Sequence, residues 1–164
     1  MQRFTRLAII VTVLLACVGC DQVTKSLARE HLQGREAIVM LRDTVRLQYT
    51  ENPGGFLSLG AALPHGWRTA VFTISASVML AAALWYAYAV AATGLLDLVA
   101  LALIGAGGIG NIIDRIRYDG YVTDFLNVGI GWLRTGIFNV ADVALMIGIA
   151  LLVLRPRPGL AQAG

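Results

Sequence analysis

Charge is scarce in this chain. Only 14% of its 164 residues are Asp, Glu, Lys or Arg, and lysine occurs once, at Lys25. A soluble domain carries nearer a quarter, so an ordinary water-soluble globule is excluded. The net charge of +3 comes without a basic run, which removes nucleic acid as a partner. Both histidines, His31 and His65, stand alone, and no zinc pattern is present; neither a metal nor a cofactor is expected. Cys17 and Cys20 lack any neighbouring His or Cys to complete a metal set, and they read as packed thiols. No serine lies in a nucleophile elbow. A Ser–Lys pair would need Lys25, which already faces Asp21 four residues away. Gly107–Gly110 is no nucleotide loop, because no strand precedes it and no Lys-Ser/Thr follows.

What remains is apolar. Hydrophobic residues make up 57% of the chain, and its mean hydropathy is +0.71. Four stretches, 7–26, 69–92, 95–113 and 137–154, each approach the ~20 residues that a helix needs to cross a bilayer. The expectation is one membrane-embedded domain, residues 1–164, mainly α, with outer segments at 27–66 and 116–136. Arg3 and Arg6 precede the first stretch, and Arg155 and Arg157 follow the last. Both ends are therefore expected in the cytoplasm by the positive-inside rule. A competing reading takes residues 1–20 as a lipoprotein signal, with cleavage before Cys17 or Cys20. Three further spans in the remaining chain argue against it.

Within 27–66, Val45–Tyr49 alternates as a half-buried strand does, and Ile38–Leu41 is a second strand candidate. Glu51–Gly55 reads as a turn through its Pro and Gly. Phe56–Leu59 reads as a return strand or a surface segment. His65 and Trp67 stand where interfacial anchors occur. Gly120–Phe125 reads as a short strand able to join the first sheet, and the tail 155–158 as an unstructured basic end. In the third stretch Ala102, Ala106 and Gly110 recur every four residues. That pattern permits close helix approach or clears space for a substrate.

The few polar residues inside this apolar frame are the candidates for chemistry. A carboxylate in or beside a lipid-facing helix is costly to desolvate, so it normally faces a partner or a site. Asp124 and Asp142 are such carboxylates. They are either two separate interfacial acids or a facing pair. In a dry pocket a pair shares one proton, one group then acting as acid and the other as base. Asn139 and Asp142 are three apart on one helix face, as are Asn111 and Asp114. Arg115 follows as a clasp for neighbouring loops or as a polar helix end. Asp21 and Lys25 share the face that ends the first span. They form a local ion pair there, or Asp21 bonds into the outer segment.

Taken in order, Asp-Gln-x-x-Lys (21–25), Asn-x-Gly (52–54), Gly-Asn-x-x-Asp-Arg (110–115), Val-x-Asp-Phe (122–125) and Phe-Asn-x-Ala-Asp (138–142) resemble the bacterial lipoprotein signal peptidases, the type II signal peptidases. The resemblance implies a four-transmembrane-helix bundle with a small extracytoplasmic β-sheet cradle and a mobile segment over the site. It implies an inner-membrane aspartic endopeptidase that cuts prolipoproteins before a diacylglyceryl cysteine, near the outer leaflet, and that globomycin-type cyclic peptides inhibit. By that likeness Asp124 and Asp142 are the catalytic pair. Asn52, Gly54, Asn111, Arg115 and Asn139 bind substrate or hold the site, and Asp21, Lys25 and Asp114 support the fold. Asn52–Phe56 is one residue shorter than the family's usual spacing. The reading set against it is a small carrier or channel with acidic relay residues. Carriers commonly show repeats and mid-membrane acids; here no repeat is visible and the acids stand at span ends.

Overall fold

The computed structural model describes residues 3–54, 64–89 and 94–154. Expectations for Phe56–Leu59, for the end of the second apolar stretch and for the tail 155–158 lie outside the described residues. The apolar stretches fold as helices α1 (Arg3–Leu32), α2 (His65–Ala89), α3 (Leu95–Arg117) and α4 (Val140–Val153). Between them lie strands β1 (Ile38–Met40), β2 (Val45–Asn52), β3 (Val122–Ile130) and β4 (Leu133–Arg134). By length and composition α1 and α3 are able to cross a membrane, their most apolar windows having mean hydropathy 2.1 and 1.9. Helix α3 is central and touches α1, α2 and α4.

The first helix is longer than its apolar run. The expected span ends at Ser26, yet α1 continues to Leu32. Its buried residues are Asp21, Lys25, Ala28 and Leu32, a single stripe at spacings of four, three and four. The last two pack with Phe125 of the sheet, so tertiary contact holds the extra turns in helical form. The two cysteines correct the packed-thiol reading. Cys17 is half-buried, but Cys20 is exposed on the outer side of α1. One uninterrupted helix runs through both residues, with Asp21 and Lys25 in the core directly after.

The small residues of α3 serve helix packing. A Cβ at Gly107 would strike the Ala141 carbonyl of α4, and one at Gly110 would come within 2.6 Å of Asp21 Oδ2. Gly148 of α4 likewise rests on the Ala100 carbonyl and Ile104. Beyond the end of α3, Asp119 and Gly120 take up φ +50° and +88°, and the Gly120 N–H donates to the Arg115 carbonyl at 2.8 Å. This left-handed closure turns the chain directly into β3.

The strands form one antiparallel sheet in the order β1-β2-β3-β4. The strand expected at Gly120–Phe125 starts two residues later, at Val122, and runs on to Ile130. A register shift between Leu47 and Thr50 places Thr50 opposite Asp124 and Asn52 opposite Val122. The segment before α4 is also tied to this sheet, because Phe138 N–H donates to the Leu126 carbonyl and the Phe138 carbonyl accepts from Phe125 and Leu126. The fourth helix therefore starts three residues later than its apolar run, at Val140, with Asn139 as its cap.

Candidate active site

The site is assembled where α1, α3, β2, β3 and the start of α4 meet. Its floor is an ionic cluster around Lys25, whose side chain is fully buried. Lys25 Nζ lies 2.9 Å from Asp21 Oδ2, 3.3 Å from Asp114 Oδ2 and 2.9 Å from Asn111 Oδ1. A buried cation needs such company. The two acids then reach onward. Asp21 Oδ1 accepts the Ala141 N–H at 2.9 Å, one of the otherwise unpartnered amides of a helix start. Asp21 thus bonds to the first turn of α4, not to the outer segment as one sequence reading had it. Asp114 Oδ2 accepts the Thr123 N–H at 3.0 Å and fixes the residue just before Asp124.

Above this floor is a row of asparagines. Asn111 accepts from Lys25 and donates to Asp142 Oδ1 at 2.9 Å. Asn139, with no exposed surface, caps α4 by accepting the Asp142 N–H at 2.9 Å, while its own N–H donates to Asp142 Oδ2 at 3.2 Å. Its amide nitrogen donates to Asp124 Oδ1 at 2.7 Å. One residue therefore bonds to both carboxylates. Asn52 supplies the other partner of Asp124, at 2.8 Å to Oδ2. Thr50 is paired with Asp124, so Asn52, two residues along β2, is its diagonal neighbour on the same face.

The side-chain Oδ1 of Asn52 also accepts the Gly54 N–H at 2.9 Å, closing a local turn, and Arg115 Nη2 donates to the Gly54 carbonyl at 3.1 Å. Arg115 is thus a clasp on the loop after β2; it is buried and does not end in water. Asp124 is 2% exposed and Asp142 half-buried. Burial, and then the nearby charge of Asp142, push the Asp124 carboxyl up to about 7, against the opposing hydrogen bonds from Asn52 and Asn139. A carboxyl that titrates at neutrality beside a second acid can donate or accept a proton under working conditions.

All ten residues singled out from the sequence thus fall in one connected network. Two members were not singled out. Gln22 Nε2 reaches Asp21 Oδ2, Asp114 Oδ1 and the Gly110 carbonyl at 3.1–3.2 Å. Arg29 Nη2 lies 3.2 Å from Asp114 Oδ2, with its guanidinium 3.7 Å over the Tyr118 ring. Arg29 follows Lys25 by one helical turn, which was the available signal. Among the described residues no cluster of His, Cys, Asp or Glu is able to hold a metal ion.

A family model described as signal peptidase (SPase) II matches residues 13–156. The lipoprotein signal peptidase of Sphingopyxis alaskensis is 39% identical over 137 residues, 82% of this chain and 77% of the relative. That of Desulforapulum autotrophicum is 35% identical over 152 residues, 93% and 91% of the two chains. A solved structure of a bacterial membrane enzyme superposes with a TM-score of 0.76 at 28% identity, covering 93% of this chain and 87% of the other. A second gives 0.73 at 27%, covering 93% and 92%. With the profile running through every part of the site, the chain belongs to the signal peptidase II family.

Proposed function

We propose that this chain is the aspartic endopeptidase that removes signal peptides from diacylglyceryl-modified prolipoproteins, cutting before the lipidated cysteine, with Asp124 and Asp142 as the catalytic pair. The observation that carries the assignment is Asn139, bonded to both carboxylates, beside an Asp124 that titrates at about 7. The pair holds one proton near neutral pH. The protonated carboxyl polarises the scissile carbonyl, and the ionised one takes a proton from the attacking water. The oxyanion is stabilised by that acid and by nearby amide donors. No metal enters this chemistry. Asn52, Asn111 and Asn139 orient the acids, Arg115 and Gly54 shape the rim, and Asp21, Lys25 and Asp114 seat α4 and β3.

The wider setting belongs to the same reading. The single domain spans the inner membrane four times with both termini in the cytoplasm, and the sheet forms a cradle at the outer leaflet. There a substrate tethered by acyl chains meets the acids. Each lipid CH₂ buried contributes ~0.8 kcal/mol, so the diacylglyceryl group helps to position the peptide. Globomycin-type cyclic peptides occupy the same site. A carrier with acidic relay residues is not favoured, given membership of a peptidase family.

The deciding experiment incubates the detergent-purified protein with a diacylglyceryl-modified propeptide, with and without globomycin. Cleavage immediately before the modified cysteine, blocked by the inhibitor, is expected. Cleavage that persists in an Asp124→Asn, Asp142→Asn double variant would overturn the assignment.

A further inference from the structure

The β3–β4 hairpin carries an apolar tip that the peptidase chemistry does not use. Residues Val128–Leu133 contain no charged side chain. Ile130 is 78%, Trp132 93% and Leu133 68% exposed. The turn is short. Gly129 pairs with Arg134 and Ile130 with Leu133, leaving Gly131 and Trp132 as a two-residue loop. Gly131 has φ +57°, a conformation that suits the first position of such a turn. The indole is thus presented on a rigid hairpin. In water, a tip of three large apolar side chains would invite association.

Its position relative to α4 says what it meets. Arg134 at the base of the hairpin and Phe138 line a cavity of about 470 Å³ together with Val143, Met146 and Ile147 of α4. Ile147 lies eight residues beyond the cap Asn139, about 12 Å along the helix at ~1.5 Å per residue. The hairpin base therefore hangs beside the first two turns of an apolar helix, below the level where that helix begins. On the same helix Met146, Ile149, Val153 and Leu154 are exposed large hydrophobics, the surface that lipid covers. The cavity joins the base of the hairpin, at Arg134, to Met146 of that helix. Arg134, bonded to Asn127 Oδ1 and to the Asp43 carbonyl at 2.6 Å each, fixes the hairpin to the rest of the sheet.

We infer that the tip Ile130–Leu133 is a membrane-surface anchor, with Trp132 seated at the boundary between headgroups and acyl chains of the outer leaflet, where indoles concentrate. The inference rests on the membrane orientation proposed above. The anchor holds the sheet at a fixed height over the bilayer, so that Asp124, six residues before Ile130 on the same strand, stays at the level of a lipid-tethered cleavage point.

Depth-dependent fluorescence tests this without reading peptidase activity, so its failure is separable from failure of the enzymatic assignment. In a Trp67→Phe, Trp85→Phe chain reconstituted in phosphatidylglycerol–phosphatidylethanolamine vesicles, Trp132 is the remaining indole. Its emission is expected to lie to the blue of an indole in water. Acyl chains carrying doxyl at carbon 5 should quench it more than chains carrying doxyl at carbon 12, and iodide should quench it little. Leu133→Glu should shift the emission to the red. If the doubly substituted chain does not fold, the spectrum lost between wild type and Trp132→Phe gives the same readout. Efficient iodide quenching without doxyl quenching overturns the inference. Protection from both quenchers means that protein, such as a second copy, covers the tip, and overturns it equally.

Discussion

At the scale of single residues, the centre of the molecule is an exchange of roles between three asparagines and two acids. Asparagine donates to a carboxylate without adding charge, so the site orients Asp124 and Asp142 while leaving their mutual repulsion in place. Asp124→Asn or Asp142→Asn should fold normally and lose turnover by ~10² or more, the usual scale for an acid–base group; cleavage rates and thermal unfolding in detergent check both halves. The pH dependence follows from Asp124. It keeps its proton to about pH 7 in the folded chain against an ordinary value of 3.8. Between these values the folded state binds the additional proton, so stability falls as pH rises from 3.8 to about 7 and levels off above. Thermal unfolding across this window should show the slope in wild type and its loss in Asp124→Asn. Activity should decline on the alkaline side of neutrality as the pair loses its shared proton.

At the scale of elements, three helices carry the site on contacts that sequence spacing states only in part. Lys25 joins α1 to α3 through Asp21, Asp114 and Asn111. Lys25→Met takes their shared cation from Asp21 and Asp114, leaving Arg29 beside Asp114, a change that costs ~3–5 kcal/mol where one partner of a buried pair is removed; a lowered unfolding temperature is the measure. Helix α4 is held against α3 at Gly107, where even a methyl would strike the Ala141 carbonyl. Gly107→Leu should destabilise by ~1–3 kcal/mol through overpacking and reduce turnover too, since Ala141 precedes Asp142. The pattern of Ala102, Ala106 and Gly110 pointed to close packing of this helix. It left open whether a protein helix or a substrate filled the space, because period alone does not name a partner.

At the scale of the whole molecule, a small sheet and a set of apolar helices share one polar junction. The junction holds all ten residues that the sequence marked as site candidates, and chelators test its chemistry. EDTA should leave cleavage of a lipidated propeptide unchanged; strong inhibition reversed by added metal would point to a different reaction. Intact-mass measurement of the mature chain should show no lipidation or cleavage at Cys17 or Cys20, since α1 runs unbroken through both and places Asp21 and Lys25 in the core. Other large-scale features were only partly legible. The strand around Asp124 was visible as a run from Gly120 to Phe125, but its extension to Ile130 depends on pairing with β2 and β4. The last turns of α1 were hidden because Ala28, Leu32 and Phe125 meet across about a hundred residues of chain.

The chain by itself determined its solvent, its helices and its chemistry. Low charge and long apolar runs admit little but a membrane protein, and a handful of acids and amides in such a chain has few structural excuses. Only the tertiary structure decided how those residues are used. That Asn139 reaches Asp124 on β3, that Asp21 accepts the Ala141 amide of α4 and that Asp114 fixes β3 are facts of approach between distant segments. Hydrogen bonds are short-ranged and directional, so their partners are set by the packed fold and not by spacing along the chain.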